Sequence, residues 1–327
     1  MRGVVIDEKS DSRDLVWNEM PEPAVGPEQV MIEVQCAGVN RADLLQRAGK
    51  YPPPVGASPI LGLEVSGHVV KVGSDGGDWQ IGDRVCALLS GGGYAERVVA
   101  HRSHLLSVPA SMSLSDAAAI PEAFLTAFTN LCFEAGMSRH DRVLIHGGSS
   151  GVGTASIQIA RVVGALVACT VGNSDKAARC KDLGAACVAL YKKEDFVAVV
   201  GEWAGEAGVD IVLDCIGAEY FARNLKLLAT NGRLVQIGTM SGSTAEIDLT
   251  LLMRKQARVI GSVLRGRSDG EKGELVRQFR GRFWPLFESG KLAPVVHSVF
   301  GREEIAKAHE TMRGSEHIGK IVIDLSR

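Results

Sequence analysis

Residues 142–160 read RVLIHGGSSGVGTASIQIA: a short apolar run, a glycine-rich turn, then a segment with helical periodicity. That order is what a dinucleotide pyrophosphate needs. The run Val143, Leu144, Ile145 predicts a strand that delivers the chain to a sheet edge. Gly148, Gly151 and Gly153 let the backbone turn tightly and approach phosphates. The helix that follows points unpaired N–H groups and its positive dipole end at the anion. Val152, Ala155, Ile159 and Val163 recur at helical spacing, which gives this helix an apolar stripe to lay on a sheet. Glycine clusters alone are common in turns; the strand before and the helix after are the context that gives this one meaning.

The chain has 327 residues, more than one ordinary hydrophobic core accommodates, and so suits two domains. A hydrophobic content of 46% and a net charge of −2 describe a globular protein with no basic excess for nucleic acid or an anionic membrane surface. The first residues, MRGVVIDEKSDSRD, alternate and carry charge, unlike a secretory signal. No apolar stretch reaches the roughly 18 residues of a membrane helix. Seven cysteines (Cys36, Cys86, Cys132, Cys169, Cys180, Cys187, Cys215) are scattered, with no Cys-x-x-Cys pair. That pattern predicts reduced thiols and a cytoplasmic location.

Along the chain the first stretch is β-rich. VMIEVQCAGV (30–39), EVSGHVVKVG (64–73), DRVCALL (83–89) and YAERVVA (94–100) are β-branched runs separated by turn-forming residues. From about Leu114 the pattern becomes helical, and beyond Asp141 strands and helices alternate. Strands are expected at VLIHG, ALVACTV (165–171), CVALY (187–191), VDIVLDCIG (209–217), GRLVQIG (232–238) and ARVIGSVL (257–264), with helical segments at 174–184, 194–204 and 218–230. Such alternation implies a parallel sheet covered on both faces, an α/β doubly wound class. Helices are expected again at 248–255, 271–288 and 303–312, with strands at 295–300 and 319–325 rejoining the first domain. The expected domains are 1–120, completed by 294–327, and 121–293.

The second strand of a dinucleotide-binding unit ends in Asp or Glu when the ribose 2′-hydroxyl is free. Here ALVACTV runs into Gly172, Asn173 and Ser174, with Lys176 two residues on and Tyr191 closing the next strand. A small residue leaves room for a 2′-phosphate, and Ser, Lys and Tyr can donate to it. The cofactor expected is therefore NADPH. Asp175 is the complication, since it could accept from a ribose hydroxyl, and Lys176 and Tyr191 could equally be solvated.

Two further stretches, NRADLLQRAGKYPPP (40–54) and LGLEVSG (61–67), join YAERVVA, the glycine loop, YKKEDF (191–196), LDCIG (213–217) and HIGKIVI (317–323) in a larger pattern. Together they resemble the zinc-free quinone oxidoreductases of the medium-chain dehydrogenase/reductase superfamily, and within it the p53-inducible quinone oxidoreductase subgroup. The resemblance spans nearly the whole chain. It implies a GroES-like β-rich catalytic domain made from both chain ends, a central Rossmann domain and a reaction cleft between them. It also implies a homodimer or homotetramer, with ARVIGSVL similar to the strand that pairs across subunits, although an internal sheet position would suit that strand equally. By the same resemblance the cofactor contacts would include Gly148, Gly151, Val152, Gly153, Ser174, Lys176 and Tyr191. Cys215, Ile216 and Gly217 would follow at the end of the fourth strand. Ile237, Gly238, Thr239 and Met240 would lie near the nicotinamide, with Thr126 near its ribose. Leu264, Arg265, Arg267 and Lys320 would add later contacts, although Arg267 and Lys320 could simply be solvated.

Many members of this superfamily carry zinc. A catalytic zinc needs about three Cys, His or carboxylate ligands around one open position. Where the first would fall this chain has Asn40, and where zinc-dependent relatives carry Gly-His-Glu it has Gly62, Leu63, Glu64. Residues 87–107 contain none of the cysteines a structural zinc lobe needs, and His68, His101, His104 and His146 are isolated in sequence. No metal is expected. A quinone fits such a site, because it is already a strong electrophile and spreads the charge it gains, whereas a simple ketone needs a Lewis acid.

Three polar residues stand out as candidates for catalysis. Tyr51 precedes Pro52, Pro53 and Pro54, which stiffen its loop, and its phenol could donate to an acceptor oxygen as charge develops there. Asn40 could hydrogen-bond substrate or nicotinamide. Ser150 could reach substrate from the glycine loop or only bond a phosphate. Asp43 either orients its neighbours or caps a helix starting at Ala42. The function expected is an NADPH-dependent quinone reductase acting by hydride or single-electron transfer. Two alternatives stand beside it: reduction of activated C=C bonds with Tyr51 as proton donor, and a nucleotide-sensing or RNA-contacting protein, which the net charge does not favour.

Overall fold

The computed structural model describes every residue except 8, 11 and 327. The chain divides into two compact units, Met1–Leu125 with Leu264–Arg327, and Thr126–Val263. The return to the first unit therefore comes at Leu264, ahead of the 294 expected from sequence, and the first crossing lies five residues beyond the expected 120.

Unit one begins with a hairpin of β1 (Arg2–Ile6) and β2 (Leu15–Glu19), which the sequence reading passed over. Its body is a twisted antiparallel sheet from β3 (Gln29–Val39), β4 (Glu64–Val72), β5 (Arg84–Leu88), β6 (Arg97–His101) and β7 (Leu105–Ser107). β3 pairs with β4 on one side and with β6 along its first half. The short helix α1 (Arg41–Arg47) leaves the end of β3, and α2 (Leu114–Ala117) is capped by the Ser113 hydroxyl. Helix α3 (Pro121–Phe128) carries the chain out of the unit. Gly67 is required where β4 crosses β3, since a Cβ there would stand 2.0 Å from the Glu33 carbonyl oxygen.

Unit two holds β8 (Arg142–His146), α4 (Gly151–Val163), β9 (Leu166–Val171), α5 (Ser174–Leu183), β10 (Cys187–Leu190), α6 (Phe196–Ala204), β11 (Val209–Asp214), α7 (Ala218–Leu227), β12 (Leu228–Gln236), α8 (Leu249–Arg254) and β13 (Arg258–Gly261). Among the described residues these strands form one parallel sheet in the order β10-β9-β8-β11-β12-β13. The order reverses between β8 and β11. That is the topological switch point at which doubly wound sheets bind ligands, beyond the carboxyl ends of the strands. The strands are apolar on both faces because helices cover both: Leu144, Ala168, Val212 and Leu234 are fully buried with Phe196 and Val200 of α6.

The chain then re-enters unit one through α9 (Asp269–Glu288), β14 (Val296–Gly301), α10 (Ile305–Gly314) and β15 (Lys320–Asp324). β15 is buried at every position and pairs antiparallel with the end of β3 and parallel with β14. The reason for the earlier boundary is α9. Its Phe279, Phe283, Trp284 and Phe287 are buried, Phe287 meets Phe124 edge to face, and the Trp284 indole donates to the Ser107 carbonyl. Helical periodicity predicts this helix but not the surface that covers it.

A buried polar chain runs under the switch point of unit two. His146, at the end of β8, has Nδ1 3.1 Å from the Thr170 hydroxyl and Nε2 2.7 Å from Asn224 Oδ1, and Asn224 Nδ2 donates to Asp214. Burial holds the His146 imidazole down at about 4, so it is neutral in the folded protein. The unfolded chain binds a proton at His146 below its ordinary value near 6.5, which the folded chain refuses until about 4. Its contribution to stability is thus complete above pH 6.5 and is lost as pH falls toward 4, a change of about 3 kcal/mol. His146→Gln is expected to be less stable than wild type at neutral pH, with the gap closing by pH 4.5. Melting temperatures of the two proteins across that range check this, since other titrations cancel in the difference; a constant gap overturns it.

Candidate active site

In unit two the glycine loop forms as the sequence predicts. Gly147 turns with φ +69°, the Gly148 N–H donates to the Thr170 carbonyl, and Ser150 Oγ accepts from the Gly153 N–H at 2.9 Å. Ser150 is therefore the N-cap of α4, which occupies its hydroxyl in shaping the loop. A Cβ on Gly153 would lie 2.2 Å from the Gly147 oxygen, so only glycine lets α4 start so close to the strand. Val152, the second residue of α4, follows on the first turn.

The next loop carries no carboxylate at the end of its strand, β9, and Asn173 caps α5 through the Lys176 N–H. At Gly172 a Cβ would approach the Tyr191 hydroxyl at 3.3 Å and Lys192 Cε at 3.6 Å. Ser174 and Tyr191 are exposed, and Lys176 lies in the first turn of α5. Lys192 was missed by sequence reasoning, although its place beside Tyr191 was the available signal. Ser174, Tyr191 and Lys192 offer exposed donors around Gly172, Lys176 is buried in the first turn of α5, and the close-fitting glycines bring the start of α4 against the strand.

Asp214 organises the third loop. Its Oδ1 accepts from the Ile216 N–H at 2.6 Å and both oxygens face the Gly217 N–H at 3.3 Å. Burial raises its carboxyl above the ordinary range against these bonds. The loop bearing Cys215, Ile216 and Gly217 is then tied to that bearing Ile237, Gly238, Thr239 and Met240. The Met240 N–H donates to the Cys215 carbonyl, the Ser241 N–H to the Ile216 carbonyl, and Gly217 bridges Gly242. The structure brings these seven expected residues together at the carboxyl ends of β11 and β12. Thr126, in α3, has its carbonyl engaged by Asn130 Nδ2.

Unit one contains a second constellation. Lys320 Nζ donates to the Val39 carbonyl and Asn40 Oδ1, each at 2.7 Å, and pairs with Glu64 Oε1 at 2.6 Å. An ammonium has three donors, and all three are used. The expectation that Lys320 reaches a cofactor does not match this placement. Asn40 is similarly engaged at both ends, its Nδ2 donating to Glu64 Oε1 at 2.9 Å. Glu64 Oε2 accepts from the Glu122 N–H at the start of α3. Asp43 sits in the first turn of α1 and accepts from the Asn40 and Gly62 N–H groups and the Tyr94 hydroxyl. It serves both capping and the wider cluster, and burial raises its carboxyl to about 6.

Tyr51 lies half-buried on the loop after α1. Its hydroxyl has no hydrogen-bond partner among the described residues, while its ring lies under the Arg265 guanidinium at 5.2 Å. Burial and the nearby Glu122 raise the phenol above its ordinary value, and Arg265 acts the other way. Glu122 is the residue that sequence reading missed here. Burial, reinforced by Glu64, lifts its carboxyl to about 8, so it holds its proton near neutrality. Arg265 and Lys272 line a cavity of about 600 Å³ with Pro54, Ser58, Leu89 and Ser90. Leu264 is buried and Arg267 partly so. Among the described residues no group of three or more His, Cys, Asp and Glu could hold a metal ion.

Comparison with known proteins is consistent with this geometry. Residues 26–110 match the alcohol dehydrogenase GroES-like domain, and residues 151–278 match the zinc-binding dehydrogenase family. Human quinone oxidoreductase is 30% identical over 312 residues, covering 94% of this chain and 92% of that protein. The quinone oxidoreductase-like protein 2 homolog of Nematostella vectensis is 28% identical, covering 95% and 88%. Among solved structures, a mycobacterial protein complexed with NADPH superposes with a TM-score of 0.88 at 28% identity, covering 99% of this chain and 100% of that one. The JamJ enoyl reductase does so at 0.88 and 27%, covering 99% and 98%.

Gly153→Ala is expected to weaken pyridine-nucleotide binding about tenfold, because relieving the clash pushes the start of α4 off the strand. Gly201→Ala, in α6 with its nearest neighbour atom at 3.7 Å, is the control and should bind as wild type. Fluorescence titration with NADPH reads both; equal affinities refute the close-approach argument.

Proposed function

Because this chain belongs to the medium-chain dehydrogenase/reductase superfamily, whose fold binds a pyridine nucleotide, we propose that it is a zinc-independent NADPH:quinone oxidoreductase. The observation that carries the choice of cofactor is the carboxylate-free end of β9, where Gly172 opens onto Tyr191 and Lys192. The similarity to quinone oxidoreductases along nearly the whole chain supports the choice of acceptor. NADPH, when bound, would supply the reducing equivalents, as a hydride or as single electrons.

The residues of the chain then divide the remaining work. The cradle of Gly148, Gly151, Val152 and Gly153 and the first turn of α4 neutralise the pyrophosphate. Ser174, Lys176 and Tyr191 take the 2′-phosphate, with Lys192 as a further donor. Cys215, Ile216, Gly217, Ile237, Gly238, Thr239, Met240 and Thr126 position the nicotinamide end through backbone and small side-chain contacts, and Leu264 and Arg267 supply later ones. In unit one the Tyr51 hydroxyl, without an acceptor among the described residues, donates to the acceptor oxygen as negative charge develops. Asn40, braced between Lys320 and Glu64, holds a fixed amide dipole at the start of α1. The polar groups orient the reactant more than they attack it.

A second reading has its own support. Enoyl reductases superpose on this chain as well as a quinone oxidoreductase does, with TM-scores of 0.87 and 0.88 against 0.87. In that reading Tyr51 delivers a proton to carbon. Cysteines free of disulfides support a cytoplasmic setting, and no helix among the described residues is long and apolar enough to cross a membrane. β13 is the outer strand of its sheet, with Val259 exposed, which supports pairing with a second copy in a homodimer or homotetramer.

Two outcomes are expected. Lys176→Ala should raise the Kd for NADPH roughly tenfold and leave that for NADH nearly unchanged, since one charge-assisted bond to the 2′-phosphate is lost. Equal losses with both nucleotides would sink the 2′-phosphate assignment. Wild type should oxidise NADPH with ortho- or para-quinones, and Tyr51→Phe should slow this about tenfold. Turnover of enones but not quinones, abolished by Tyr51→Phe, selects the second reading.

A further inference from the structure

Arg265 is nearly sealed from solvent, at 4% exposure, and among the described residues its hydrogen bonds go to neutral acceptors. Each guanidinium nitrogen donates within unit one. Nε reaches the Ser90 carbonyl at 2.9 Å, Nη2 reaches Gln46 Oε1 at 2.6 Å, and Nη1 reaches the Tyr51 carbonyl at 3.4 Å. The acceptors are braced in turn. Gln46 Nε2 donates to the Pro59 carbonyl at the far end of the Tyr51 loop, and Lys272 Nζ donates to the Ser90 hydroxyl at 2.7 Å. The guanidinium plane is thus held by three separate segments, and the Tyr51 ring lies against it. A cation lying on an aromatic face fixes the ring and stabilises it electrostatically. Arginine can do both because its fork is rigid, where lysine offers a mobile point charge.

We propose that Arg265 is the positioning residue of Tyr51, clamping its loop through the backbone carbonyl and its ring through the guanidinium, and is not a cofactor contact. This goes one step beyond the reductase reading, in which Tyr51 donates to the acceptor, and rests on it only for the kinetic consequence. At the high pH where the phenol ionises Glu122 has lost its proton, and two charges then face the phenol from different elements: Glu122 from α3 and Arg265 from the segment before α9. Asp43 and Glu122 face Arg265 besides Tyr51 itself. Glu122 favours the protonated phenol and Arg265 the ionised one, so the pair sets how readily Tyr51 gives up its proton. Removing Arg265 must move the ionisation of Tyr51 up in pH, and removing the Glu122 charge must move it down.

The chain has four tyrosines, so the ultraviolet difference between wild type and Tyr51→Phe isolates the phenol of Tyr51. Arg265→Gln should shift that ionisation to higher pH, Glu122→Gln to lower pH, and Arg265→Lys should leave it near wild type while loosening the loop. In steady-state turnover Arg265→Gln should lower kcat about tenfold with Tyr51 present and have little further effect in Tyr51→Phe, because both changes remove the same function. If the glutamine variant does not fold, Arg265→Lys carries the test through turnover: by loosening the loop it should lower kcat with Tyr51 present and add little in Tyr51→Phe, and an unchanged kcat overturns the proposal. An unmoved Tyr51 ionisation in Arg265→Gln overturns the proposal, as does a loss of NADPH affinity that persists in Tyr51→Phe. The optical titration needs no substrate, so an enzyme that reduces no quinone would refute the reductase reading and leave this test standing.

Discussion

Glu64 and Lys320 are two opposite charges with almost no contact with water, on strands far apart in sequence. Taking either ion out of water costs several kcal/mol, and the cost is met only because each makes further bonds in its surroundings. Lys320 also holds the last carbonyl of β3 and the side chain that precedes α1. Glu64 also holds the first turn of α3. One ion pair therefore fixes where β3 ends, where α1 begins and where α3 departs. Losing one partner of such a pair leaves a buried charge uncompensated, at about 3–5 kcal/mol. The polar face that carries Tyr51 and Glu122 is built on this junction.

The two units solve different problems. In unit two backbone atoms do most of the shaping: close-packed glycines, an N-cap serine and an aspartate that gathers amide hydrogens. Anions are well served by such a surface, since N–H groups at a helix start carry partial positive charge without a desolvated side chain. Unit one relies on side chains that are buried, paired and pushed from their ordinary ionisation. Glu122 keeps its proton near neutrality, Asp43 loses its own only near pH 6, and His309, beside the Tyr94 hydroxyl, stays neutral down to about 3. The first surface suits binding, and the second suits donating a hydrogen bond or a proton.

Much of this was legible in the chain itself. Runs such as VLIHG and ALVACTV are short, β-branched and bounded by glycine or asparagine, and each became a strand within a residue or two. The glycine loop was legible because its steric demand is local: the residues that need the close approach are those that make it. The hairpin of β1 and β2 was not, since its alternation is broken by a polar turn. The ranks of Lys320 and Arg265 were not legible either. A lysine or arginine advertises its charge but not its partner, and here the partners lie 256 and 219 positions away. The boundary at Leu264 was hidden for the same reason, because the apolar stripe of α9 fits any apolar surface until the fold chooses one.

Unit one is assembled from both ends of the chain, with β15 antiparallel to β3 across nearly the entire sequence. During synthesis the interrupting segment is complete while Glu64 still lacks its counter-ion and β3 has one unsatisfied edge. The parallel sheet, whose pairings are all internal to a continuous stretch, can condense on the ribosome; the discontinuous one must wait for its final strand. Until then the nascent polypeptide exposes a ladder of unpaired amides and carbonyls beside a stranded carboxylate. Premature termination a few codons before Lys320 would leave the continuous unit able to fold and the discontinuous one permanently open along β3.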